Sequence, residues 1–146
     1  MYQEQLTQAL CFNSNPIHAA AQTASFTSGS VDLSKFKRAL FILDVGAVSG
    51  TSPTFDAKLQ ESTDNVTFTD LVGSNVAITT ITTANHTVTL EVRADQLTKR
   101  YVRVTVTIGG TTPSFTCAVL ALGGEAIEKP GSANNAAQVD QQKVVA

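Results

Sequence analysis

At 146 residues the chain is long enough for one domain with a real core and too short for two independent ones. Ten lysines and arginines stand against twelve aspartates and glutamates, a formal charge of −2, so there is no chain-wide field to draw in nucleic acid or an anionic membrane. No stretch approaches the roughly 18 continuous apolar residues of a membrane span, and the opening MYQEQLTQAL has neither a basic nor an apolar leader region, so synthesis in and use from the cytosol is the expectation.

From residue 1 to 30 the composition is Gln, Ala, Ser, Thr and Asn with isolated apolar residues and no sustained period, which reads as an N-terminal arm with a weak strand around 24–26. Lys35, Lys37 and Arg38 are too few for a phosphate-binding patch and mark the solvated start of a strand. Residues 38–48, RALFILDVGAV, are apolar nearly throughout and β-rich in type. They are expected to form a strand covered on both faces, by the opposite sheet and by an arm or a neighbouring subunit. Gly46 and the Ser-Gly-Thr-Ser-Pro turn at 49–53 oppose a helix there.

Over 55–60, Phe55, Ala57 and Leu59 alternate with Asp56, Lys58 and Gln60, the pattern of a half-buried strand. Ser62, Thr63, Asp64 and Asn65 form a turn, because Asp and Asn side chains bond nearby backbone amides and Asn tolerates positive φ; 66–71 return as a strand. A shorter strand candidate covers 76–82. In HTVTLEVR (86–93), Val88, Leu90 and Val92 point inward, and in YVRVTVTI (101–108), Val102, Val104, Val106 and Ile108 do. Asp95, Gln96 and Leu97 between them make one helical turn. FTCAVLAL (115–122) repeats the two-faced apolar pattern, and 125–146, without an aromatic residue, reads as a C-terminal arm. With about seven or eight short strands, no long amphipathic helix and no internal repeat of fixed period, the core at 31–124 is expected to be an all-β antiparallel sandwich of jelly-roll type.

Chemistry-bearing groups do not converge in the sequence. Asp56, Glu61, Asp64 and Asp70 lie on an outward strand face and around a turn, and the stretch lacks the ligand density and the glycine of a Ca²⁺ loop. His18 and His86 have no context of a nucleophile or zinc site, and Gly109-Gly110 and Gly123-Gly124 open no helix that could cradle a phosphate. Cys11 and Cys117 have no metal-ligand spacing and are expected reduced, Cys117 as a small core residue. The sequons at Asn65 and Asn85 matter only in a secretory pathway. No catalytic residue, cofactor or metal is therefore expected.

"VDLSKF" leading into "LFILDVGAV", the "AKLQESTDNVTFTDL" hairpin and "EVRADQLTKRYVRV" carry a resemblance over about 31–124 to small virion proteins of tailed bacteriophages, capsid decoration or cement proteins above all. The resemblance implies a binding protein without a reaction, made in the host bacterial cytoplasm. Its place would be the outer capsid surface of the virion, where it bridges subunits of the major capsid protein, with self-association as a dimer or trimer and no nucleic-acid or membrane partner. The arms would then anchor it through Tyr2, Leu6, Phe12 and Ile17 at the front and Ile127, Val139, Val144 and Val145 at the back. A tail or head-to-tail connector role is the nearest alternative. A glycan-binding adhesion module is another, weakened by the absence of Trp and a tyrosine count of two.

Overall fold

The computed structural model describes residues 9–12, 16–73 and 76–127. Eight strands, all antiparallel, join in one hydrogen-bonded sheet: β1 Leu10–Phe12, β2 Ile17–Gln22, β3 Phe26–Thr27, β4 Val31–Asp32, β5 Phe36–Ser62, β6 Thr69–Asp70, β7 His86–Arg93 and β8 Tyr101–Ala126. A single 3-10 turn, Ala94–Gln96, lies where the helical turn was expected. The all-β antiparallel class is therefore as the alternation indicates, realised as one continuous curled sheet.

Two long strands organise it. β5 and β8 pair along nearly their whole lengths, from Phe36 opposite Ala126 to Ser62 opposite Tyr101. Their outer edges take the shorter strands. β7 flanks the first half of β5 from Arg38 to Val45, and β6 with single bridges at Ala77 and Ile81 flanks the second half. β1 to β4 are laid in turn along β8, so the segment read as an N-terminal arm contributes strands to the sheet from Leu10 onward. At the other boundary β8 runs on through Glu125 to Ala126, which is buried opposite Phe36.

The turn expected at 49–53 does not end a strand. Pairing continues through it as a bulged bend, with register shifts between Val45 and Thr54, and β8 bends at the same level. The two bends carry closely similar hexapeptides, identical at four of six positions: Gly50-Thr-Ser-Pro-Thr-Phe55 on β5 and Gly110-Thr-Thr-Pro-Ser-Phe115 on β8. Thr51 pairs with Thr111, and the mates Ser49 with Ser114 and Thr54 with Gly109 exchange roles about a local two-fold. Backbone angles match too, with φ of 113° and 114° at the glycines and 48° at both Ser52 and Thr112. Each glycine is required twice over, by that φ and by space. A Cβ on Gly50 would stand 2.7 Å from the Thr112 carbonyl oxygen, and one on Gly110 2.7 Å from that of Ser52. This duplication escapes a search for periodicity because it occurs once and spans six residues.

The bends bring the two halves of the sheet over a common core. Phe55 and Phe115, the last residues of the hexapeptides, are fully buried with ring centroids 5.4 Å apart. Ala57, Leu59, Val102, Val104 and Val106 fill one half, on the face that the alternation predicts, and Ala39, Phe41, Leu43, Val45, Cys117 and Val119 fill the other. The expectation that 38–48 and 115–122 are covered on both faces is not met within the described chain. Leu40, Ile42, Ala118 and Leu120 are half-exposed on the outer face, which other elements among the described residues leave open. Of the returning strand expected at 66–71 only β6 forms, because the turn before it runs on to residue 67. The cysteines are both buried. Cys11 faces Gly123, about 20 Å along β8 from Cys117 at roughly 3.3 Å per residue, far beyond disulfide reach.

Candidate functional site

The acidic hairpin shows what its carboxylates do. Asp64 accepts hydrogen bonds from the Val66 amide at 2.9 Å, the Thr67 amide at 2.8 Å and the Ser62 hydroxyl at 2.8 Å, and Asn65 takes φ of 61°. The Thr67 and Val66 amides above all hold the Asp64 carboxyl at about 2. Asp70 is bonded by Lys58 and Gln60 and sits below the usual carboxylate range, chiefly through Lys58. Glu61 accepts from the Thr98 hydroxyl at 3.1 Å, and Asp56 from Thr80. Each acid is thus committed to a local partner, and among the described residues no three His, Cys, Asp or Glu side chains gather as a metal site.

Most of the remaining ionic groups among the described residues are also paired, chiefly away from the bends. Arg38 bonds Glu125 at 2.8 Å and Glu91 at 3.1 Å, Arg93 bonds Asp95, and Arg100 grips Asp32 at 2.8 and 2.7 Å. Arg100 holds the Asp32 carboxyl at about 2. Arg103 lies over the Phe68 ring, 3.8 Å from its centroid, and burial lowers its pKa. Conversely, residues 16–31, 45–55, 71–90 and 104–124 contain no Asp, Glu, Lys or Arg. The two bends themselves, 45–55 and 109–115, lie within these segments, with Asp44 and Asp56 bounding the bend in β5, so Asp, Glu, Lys and Arg are absent from the bends and gather toward the Phe36–Ala126 and Ser62–Tyr101 ends of the ladder.

A cavity of about 690 Å³ opens between 77–83 and β7. Its floor is aliphatic, from Ile78, Ile81, Val88 and Leu90, and its walls are hydroxyl-rich, from Thr79, Thr80, Thr82, Thr83 and Thr89. Its two ionisable groups are engaged, His86 with the Thr83 hydroxyl at 2.8 Å and Glu91 with Arg38. The sequence signal was the run TTITT ahead of an alternating strand, read only as a short strand candidate. The floor was legible by alternation, whereas the opening depends on how the bend separates two segments of one edge.

The anchor residues proposed for the arms fall in different places. Phe12 lies in β1 opposite Leu122, in the outer-face row that continues to Leu40 and Glu91. Ile17 is in β2 opposite Val119 and packs on the core, so the two are parts of the domain rather than of a detached arm. Ile127 is 54% exposed just past β8, its amide bonded to the Lys35 carbonyl at 2.9 Å. Tyr2, Leu6, Val139, Val144 and Val145 lie outside the described residues. Both chain ends leave the described domain side by side, since Leu10 pairs with Gly124 antiparallel. No helix of the described residues is long and apolar enough to cross a membrane. No known family model matches this chain, and no curated protein matches it either.

Proposed function

We propose that the chain is a non-catalytic virion structural protein of a tailed bacteriophage that binds the outside of the icosahedral shell and stabilises it by bridging subunits of the major capsid protein. The observation that carries this reading is the uneven placement of charge: the paired bends at 45–55 and 109–115 are free of Asp, Glu, Lys and Arg, whereas such charges pair with one another toward the Phe36–Ala126 and Ser62–Tyr101 ends of the ladder. The core of a protein interface is depleted in charged residues, and an uncharged surface of short side chains loses little entropy on docking. The second support is the common exit of both chain ends, which lets 1–8 and 128–146 act from one place on neighbouring subunits, themselves or other copies. A ligand that binds only the assembled lattice stabilises it by mass action, and several weak contacts on one molecule multiply.

The test is co-sedimentation of the full chain with expanded, undecorated shells of the virus that encodes it, with bound copies counted per shell. Saturation at a number fixed by the lattice, weakened by a chain cut after Ile127, is the expected result. A handful of copies at one vertex moves the protein to the tail connector, and no binding sinks the reading.

A further inference from the structure

The cavity between 77–83 and β7 has a shape that identifies its occupant class. A void against a sheet face touches every second residue of a strand, because neighbours point to opposite faces. This one is lined by unbroken runs, 77–83 on one side and 88–91 on the other, so it lies along two backbone edges. Both edges are open on that side. β7 pairs with β5 in a continuous register from Arg38 to Val45 and with no other strand among the described residues. In 77–83 the Ile78 and Ile81 amides are spent on Ala57 and Phe55, whereas those of Thr79, Thr80, Thr82 and Thr83 donate to no described residue.

β7 also lacks the features that protect a strand edge. It has eight residues, no proline, no lysine and no bulge, and its charges, Glu91 and Arg93, stand only in its last three positions, while the other marginal strands are two or three residues long or, in β2, interrupted by a register shift. The same sheet accepts extended segments elsewhere, since β1 to β4 are four short pieces added one after another to β8. Charge narrows the choice further: the slot's lining holds no Asp, Lys or Arg, and its two ionisable groups are engaged, Glu91 with Arg38 and His86 with Thr83.

We infer that the slot between 77–83 and β7 binds an uncharged extended peptide segment of a partner protein by strand addition, with aliphatic side chains at alternate positions seated on Ile78, Ile81, Val88 and Leu90. Main-chain bonds to the free edges supply affinity and the alternate aliphatic seats supply selection. The inference goes beyond shell binding and holds whether or not the partner is a capsid protein.

The probe is a blocked synthetic peptide of about six residues alternating valine and threonine, the length of an ordinary strand. It is titrated into the full chain while amide hydrogen exchange is followed residue by residue. Exchange at Thr79, Thr80, Thr82 and Thr83 and along β7 should slow by about tenfold or more at saturation, the equivalent of 1.4 kcal/mol. A peptide with proline at its centre, or with lysine at the aliphatic positions, should leave those amides unchanged. Thr89→Lys, exposed on the rim, should weaken binding without moving the thermal midpoint. No slowing up to millimolar peptide, or equal slowing by the proline peptide, overturns the inference. So does protection already present in the free protein that disappears on dilution, which would assign the edge to a second copy.

Discussion

Alanine at Gly50 should be among the most costly single-methyl changes in this chain. The added Cβ would lie 2.7 Å from the Thr112 carbonyl oxygen, 2.9 Å from the Pro113 Cα and 3.1 Å from the Thr111 carbonyl oxygen, all backbone atoms that cannot rotate away. Holding a non-glycine residue at φ of 113° costs about 1–3 kcal/mol, and prising the two strands apart at the bend costs about 1–3 kcal/mol more, as overpacking does. The total is about 4 kcal/mol, a large share of the roughly 5–15 kcal/mol that holds a domain together. In urea, with a slope of about 2 kcal/mol per molar, the midpoint should fall by about 2 M. Gly110→Ala should match it to within about 1 kcal/mol, because the local two-fold gives it the same neighbours. The double variant should cost less than the sum, since one opening of the bend relieves both clashes. Gly46→Ala is the control: its Cβ would meet its nearest neighbour, the Thr116 carbonyl oxygen, at an ordinary 3.5 Å, so the change should stay within about 1 kcal/mol. If Gly50→Ala unfolds no more easily than Gly46→Ala, or if Gly50 and Gly110 differ widely, the reasoning about the bend is wrong.

Acid should remove the Asp32 contribution in a defined window. Its carboxyl is lowered from 3.8 to about 2, mainly by Arg100, so the stabilisation is complete above pH 4 and fades as pH falls toward 2. Arg100→Gln should therefore be destabilising at pH 7 and far less so near pH 2, where Asp32 is about half protonated in the folded parent, in urea titrations; a gap as large at pH 2 as at pH 7 would contradict the assignment. Burial pushes the Cys117 thiol up to about 11 and Cys11 is fully covered, so a thiol reagent at pH 8 should label neither cysteine until the protein is unfolded. Gly123→Ala would drive a Cβ to 2.5 Å from the buried Phe36 ring. It should cost about 1–3 kcal/mol, and the loss should shrink in a Phe36→Leu background, which a thermal-melt cycle measures.

Much of the sheet was legible because one face of each strand is dry. Alternation in 55–59, 86–93 and 101–108 assigned Phe55, Leu90 and Val104 to the core, where they are buried, and the chemistry of Asp and Asn located the turn at Asp64 and Asn65. The bend was misjudged because Gly-Thr-Ser-Pro carries the local signals of a terminating turn. Only the partner strand, with the matching Gly-Thr-Thr-Pro, decides that the chain kinks without breaking its ladder. The N-terminal strands were underestimated for a related reason. IHAAAQ has almost no side-chain pattern to read, and it is a strand because β8 offers it an edge. The slot was invisible for the same cause, being made of backbone that pairing left over.

The side-by-side departure of the two chain ends sets how the domain answers a pull. Tension applied between residues 9 and 127 would act across the antiparallel rungs joining Leu10 to Gly124 and Phe12 to Leu122, loading them one after another as a zipper is opened. β1, three residues long, would therefore peel at low force while the β5 and β8 ladder behind it stayed closed. If the chain ends hold onto neighbouring molecules, β1 is a mechanical fuse: strain between them is spent first on a short, re-formable strand and not on the core.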